Sequence, residues 1–113
     1  MKKYLILLLF TSMLYSQVTL KITGIPANTP AGSTIYFVGS ANNWTLADAN
    51  YILQPDGVGK YKIIIPQGTG IVKYKFNRGS WATVEGNATG SFLPDRSFTF
   101  TNAPQTINVN IQS

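Results

Sequence analysis

The sequence contains no cysteine and no histidine, and its acidic groups number only four: Asp48, Asp56, Glu85 and Asp95. Without thiols there is no disulfide framework, no thiol redox chemistry and no cysteine ligand for zinc. Without imidazole, the most frequent general base and transition-metal ligand is missing. Neither a Gly-x-Ser-x-Gly elbow nor a phosphate-binding glycine motif occurs. At 113 residues the chain has room for one small domain and not for two. Its net charge is +5, but Lys2 and Lys3 open what reads as a removable leader, so the remainder carries +3. That excess is mild for a nucleic-acid-binding surface, although Lys62, Lys73, Lys75, Arg78 and neighbouring aromatics have the composition of a basic stacking face.

Lys2 and Lys3 precede the apolar stretch Tyr4 to Leu14, interrupted by Thr11 and Ser12, and Tyr15, Ser16 and Gln17 follow it. This is the layout of a signal peptide, and the run is shorter than the ~20 residues a spanning helix needs. Cleavage after Ser16 is expected, although Leu14 departs from the small-x-small pattern. Residues 1–16 are thus expected as leader and 17–113 as one domain. The product is expected to be secreted, extracellular or periplasmic, with no membrane attachment after cleavage, since a lipid anchor would need a cysteine. A monomer is expected.

From Val18 onward the hydrophobic period is two. Val18, Leu20 and Ile22 alternate with Thr19, Lys21 and Thr23, as a half-buried strand requires. Thr34 to Val38 reads as a buried strand, Tyr51 to Leu53 as a short one, and Pro55-Asp56-Gly57 as the turn of a hairpin into Lys60 to Ile65. In Ile71 to Phe76, Val72, Tyr74 and Phe76 share the face expected to be core, opposite Ile71, Lys73 and Lys75. Trp81 to Val84 reads as short and extended, and Arg96 to Thr101 and Thr106 to Ile111 as closing strands. No helix of useful length, internal repeat or linker appears. The expected fold is all-β: an immunoglobulin-like antiparallel β-sandwich of seven to eight strands.

Four carboxyls leave little for an enzyme. Glycoside hydrolysis normally uses a pair about 5 to 9.5 Å apart. Asp56 sits in a turn that favours Asp for backbone reasons, and Asp48 is loop-like. Glu85 and Asp95 flank one long loop, but Arg96 offers Asp95 an adjacent ionic partner. A calcium ion on Glu85, Asp95 and carbonyl oxygens lacks the repeated Asp-x-Asp spacing such sites show. The expectation is a protein that is not an enzyme and uses no cofactor or metal.

The two tryptophans are the informative residues. Trp44 follows Ala41-Asn42-Asn43, and Trp81 follows Asn77-Arg78-Gly79-Ser80, both hydrophilic contexts. An indole there either folds back as a lid on the core or waits for a flat apolar ligand face. A pyranose ring offers such a face together with hydroxyls that seek amides and ammonium groups.

The series Ile35-Tyr36-Phe37-Val38-Gly39-Ser40, Asn43-Trp44, Gly59-Lys60-Tyr61-Lys62-Ile63, Val72 to Trp81 and Leu93-Pro94-Asp95-Arg96-Ser97-Phe98 resembles the starch-binding domains, the family 20 carbohydrate-binding modules. The Gly-Ser-Trp and Thr-Val-Glu surroundings are similar to the glucan-binding modules that precede bacterial secreted esterases and other hydrolases. The likeness spans nearly all of Val18 to Ile111. It implies stacking platforms at Trp44 and Trp81, with Lys75 as a hydrogen-bond donor between them and Asn77 and Glu85 as polar helpers. Asp95 stands where the family commonly has asparagine, and as an ionised carboxylate it only accepts. Tyr51 is the nearest candidate for a second sugar site. The implied partner is an α-glucan polysaccharide or oligosaccharide, with a secreted hydrolase as a further partner, and no nucleic acid. The competing expectation is a protein-interaction or assembly module in which the two tryptophans form a hot spot.

Overall fold

A computed structural model describes residues 17–113, and the expected leader lies outside the described residues. Seven strands are present among them: β1 Val18–Gly24, β2 Tyr36–Gly39, β3 Gln54–Pro55, β4 Tyr61–Ile65, β5 Ile71–Asn77, β6 Arg96–Thr99 and β7 Gln105–Asn110. They form two sheets, one ordered β3-β4-β1-β7 and the other β2-β5-β6. The result is an all-β, sandwich-like arrangement of four and three strands.

The period-two pattern sets what lies between the sheets. Val18, Leu20 and Ile22 of β1 and Ile63 and Ile65 of β4 meet Phe37 of β2, Val72, Tyr74 and Phe76 of β5, and Phe98 of β6. Tyr74 is the hub, with its ring centroid 5.5 to 5.6 Å from those of Phe37, Phe76 and Phe98. Truncating one of these buried aliphatic or aromatic side chains to alanine costs about 2 to 5 kcal/mol, which is a large share of the stability of a domain this small.

Three expectations need correction. The first is the wholly antiparallel sandwich: β1 is antiparallel to β4 but parallel to β7, with Val18 opposite Gln105 and Ile22 opposite Val109. The second is the strand Tyr51–Leu53. Residues Ala49–Tyr51 form a 3-10 turn started by Asp48, whose carboxylate accepts from Asn50 N. The chain then touches β2 through the Tyr36–Ile52 bridge before pairing with β4 as the two-residue β3. The segment crosses between sheets, and Pro55, which lacks an N–H, is tolerated because β3 is an edge strand. The third is Trp81 to Val84, where Trp81–Thr83 is a 3-10 turn rather than extended chain.

The outer face of the three-stranded sheet positions the candidate residues. Val38 and Lys75 are cross-strand partners there, as are Tyr36 and Asn77. Val38 is fully buried, Lys75 is 7% exposed and Asn77 is 2% exposed, so this end of the outer face is covered, while Ile71 and Lys73 farther along it are exposed. Lys75 lies on the face away from the core, as alternation implies, and is buried there for a tertiary reason that strand alternation alone does not contain.

Candidate functional site

Trp44 is presented by a turn that closes β2. Gly39 ends the strand where a Cβ would collide with the Lys73 carbonyl and Tyr74, so only glycine fits. The side chain of Asn42, buried beneath the turn, accepts from Gly39 N at 3.0 Å. Its amide donates to Thr45 O at 3.1 Å and to the Asp48 carboxylate at 3.3 Å. Trp44 N donates to Gly39 O at 2.8 Å. Inside this frame Asn43 and Trp44 both take φ 56°, the left-handed region. That conformation is ordinary for Asn but costs a bulky side chain of order 1–3 kcal/mol, and the Asn42 network holds it.

Trp81 is set by a second frame. Thr83 Oγ1 accepts from Arg78 N and Ser80 N and donates to Ser80 O at 3.0 Å, which folds residues 78–83 into a tight turn. Asn77 Oδ1 accepts from Gly79 N at 2.8 Å, an Asx turn that starts the reversal. The two frames bring the indoles together, with ring centroids 6.5 Å apart and planes 34° apart. Trp81 is 49% exposed and Trp44 is half-buried.

The expected polar helpers have other commitments. The Glu85 side chain is 1% exposed and grips Arg96, with Arg96 Nη2 2.7 Å from Oε1 and Nε 3.0 Å from Oε2. Glu85 Oε2 also accepts from Phe76 N at 3.0 Å, while Glu85 N donates to Phe76 O at 2.9 Å. Arg96 Nη2 then donates to Asn110 O at 3.0 Å, which ties β6 to β7 across the two sheets. Glu85 is thus a structural clasp, and the ionic partner of Arg96 is Glu85 rather than its neighbour Asp95. Hydrogen-bonded to Glu85, the Arg96 guanidinium is held above its ordinary range. Burial pushes the nearby Tyr74 phenol up, against a weaker opposing pull from Arg96.

Asp95 faces Lys75 instead, with Oδ1 3.8 Å from Nζ. The Lys75 ammonium also lies 4.4 Å from the ring centroid of Phe92, a cation–π contact. Phe92 itself is 76% exposed. Sequence reasoning passed over it because it stands among Gly, Ser and Leu in a loop, although a lone phenylalanine in a polar segment is the same signal that singled out the tryptophans. Tyr51 stacks on Phe37 at 5.4 Å and donates to Ala41 O at 3.2 Å, so one ring face and its hydroxyl are used internally.

A pocket of about 410 Å³ lies beside these groups, lined among others by Ile25, Ile35, Lys75, Asn77, Thr83 and Phe92. Neither tryptophan lines it. The 3-10 turn Trp81–Thr83 contributes to both features, with Trp81 in the aromatic pair and Ala82 and Thr83 in the pocket wall. Among the described residues no group of three or more His, Cys, Asp or Glu side chains could hold a metal ion.

No protein-family model matches the chain. It is 36% identical over 98 residues to an alpha-amylase of Niallia circulans, a match that covers 85% of this chain and 7% of that protein. The chain is a small all-β domain related to one short region of a much longer curated relative.

Proposed function

We propose that the protein is a non-catalytic carbohydrate-binding module that holds α-glucan by stacking sugar rings on Trp44 and Trp81. The observation that carries this reading is the aromatic pair. Two indoles from different loops stand 6.5 Å apart at the surface, and one of them is kept in a strained backbone conformation. Strain retained at a position that adds nothing to the main core is a reason to look for a ligand. The 34° tilt makes a shallow angle rather than a flat floor, which suits the curved path of an α-linked glucan better than a flat cellulose ribbon. Kinship with a region of an alpha-amylase supports the same reading, as does the starch-binding resemblance of the sequence. An immunoglobulin-like sandwich, export by the leader and work beside a secreted hydrolase belong to the same proposal.

In such an open site the Kd is expected between roughly 1 mM and 1 μM. Weak binding of this kind is useful when it raises the local concentration of a partner enzyme at an insoluble polymer. The test is depletion of the protein from solution by granular starch beside cellulose, for wild type, Trp44→Ala and Trp81→Ala, with folding followed by circular dichroism. Retention on starch alone, weakened about tenfold or more by each substitution, is the expected outcome. A wild type that stays in solution with both polymers removes the reading and leaves the tryptophans as a protein-docking pair.

A further inference from the structure

The hairpin that joins β3 to β4 turns between Asp56 and Lys60, where Asp56 N donates to Lys60 O at 2.9 Å and Lys60 N donates to Gly57 O at 3.0 Å. Its apex is Val58, set between Gly57 and Gly59, which take φ 117° and 68°. Val58 is fully exposed, so its methyl groups pack against no part of the domain. A small polar residue would serve the turn as well and would be better hydrated.

Three lysines stand behind this apex. Lys21 of β1 and Lys62 of β4 are direct cross-strand partners, an arrangement in which like charges repel. Asp56 offsets part of that repulsion, with its carboxylate oxygens 3.5 Å from Lys21 Nζ and 3.9 Å from Lys62 Nζ. Lys60 is exposed, and its stem passes close to Gly57. Three ammonium groups around one carboxylate leave this end of the four-stranded sheet positive. The other carboxylates are engaged elsewhere: Asp48 with Asn42 and Asn50 N, Glu85 with Arg96, and Asp95 with Lys75.

An apolar apex with a collar of ammonium groups asks two things of a partner: negative charge at its boundary and an apolar interior just beneath. Anionic lipid headgroups above acyl chains meet both. A soluble polyanion would engage the lysines and leave Val58 in water. We propose that the β3–β4 tip docks on an anionic lipid surface, with Val58 entering the acyl boundary and Lys21, Lys60 and Lys62 meeting the headgroup phosphates. Such docking is peripheral and needs neither a covalent lipid nor a spanning segment. Each lysine at such a surface raises partitioning about fivefold, and one valine adds a factor of similar size, so the contact is weak and reversible. The aromatic pair is carried by segments that follow β2 and β5 of the other sheet, and the proposal does not rest on what that pair binds.

The experiment is co-sedimentation with vesicles of phosphatidylcholine alone, or of phosphatidylcholine and phosphatidylglycerol in equal parts. Residues 17–113 are used, since the core runs from Val18 to Ile111 and the basic, apolar leader sequence would itself bind lipid. Wild type is expected to sediment with the anionic vesicles only, and to be released as salt is raised to about 0.5 M. Lys60→Gln/Lys62→Gln is expected to weaken partitioning about thirtyfold, and Val58→Ser about fivefold. Lys73→Gln/Arg78→Gln, which removes the same charge from exposed positions on and beside β5, is expected to change it less than twofold. All these positions are exposed, and circular dichroism checks that each variant is folded. Wild type that stays in solution with anionic vesicles overturns the proposal. So does a loss in Lys73→Gln/Arg78→Gln equal to that at the tip, which would make net charge the cause, or a Val58→Ser protein that partitions like wild type. Loss of vesicle binding in Trp44→Ala/Trp81→Ala would move the contact to the aromatic pair and overturn it as well.

Discussion

The turn that carries Trp44 and the loop that carries Glu85 both pack against one sheet, yet they use polar residues in opposite ways. Around Trp44 the polar groups serve the backbone: Asn42 and Asp48 hold the turn, and the indole is pushed outward against its conformational preference. Around Glu85 the polar groups serve the interior: the carboxylate takes Arg96 and a β5 amide, and nothing of it is left for solvent. Residues four apart in sequence, Trp81 and Glu85, thus differ from half-exposed to almost fully buried. Chemical type alone does not decide which polar group near an aromatic platform faces a ligand; the hydrogen bonds it has already made do.

The contrast can be broken most forcefully at the clasp. Arg96→Met leaves a carboxylate buried without its partner, so a loss of about 3–5 kcal/mol in urea unfolding is expected, with starch retention per folded molecule unchanged. A Glu85→Gln protein of wild-type stability that no longer adsorbs would reverse the assignment and return Glu85 to the ligand. Next in size is Trp44→Gly. Glycine accepts φ 56° without strain, so adsorption is expected to fall about tenfold while stability stays within about 1 kcal/mol of wild type. A collapse in stability would mean that the indole is a lid on the fold instead.

Phe92→Ala sharpens the comparison on the pocket side. Loss of the contact with the Lys75 ammonium is expected to cost about 0.5–1 kcal/mol, read from the urea midpoint. The smallest effect is confined to alkaline solution. The folded state keeps the Tyr74 proton above the ordinary phenol range, whereas the unfolded chain loses it near pH 10, so the native state binds more protons and stability falls as pH climbs past about 10. Arg96, also raised, adds a loss of the same sign at still higher pH. Tyr74→Phe is expected to flatten the first part of that decline and to change little at neutral pH.

Much of the fold was legible because it rests on local rules. Alternation located β1 and β5 and named Val72, Tyr74 and Phe76 as core, and the Pro-Asp-Gly turn announced the hairpin into β4. The failures are equally physical. The parallel partner of β1 lies almost ninety residues away, and no periodicity carries that information. Lys75 was placed on the correct face, yet the contacts that bury it, and not its face-mates Ile71 and Lys73, reveal themselves only in three dimensions. The unusual context of the tryptophans was visible in the sequence, but their proximity was not. Asp95 sits beside Arg96 in sequence but precedes β6; Arg96, the first residue of that strand, reaches Glu85, and Asp95 faces Lys75 instead.

The parallel pairing of β1 with β7 has a mechanical meaning. Val18 lies next to Gln105 and Gly24 next to Asn110, so chain entering at the start of β1 and chain leaving at the end of β7 emerge at opposite ends of one hydrogen-bonded ladder. Tension applied through these two points slides the strands along each other. All the rungs must then give way together, whereas an antiparallel pair pulled from one end opens rung by rung. A domain strung between a cargo on one side and an anchor on the other would resist drag with its strongest geometry, at no cost in extra contacts.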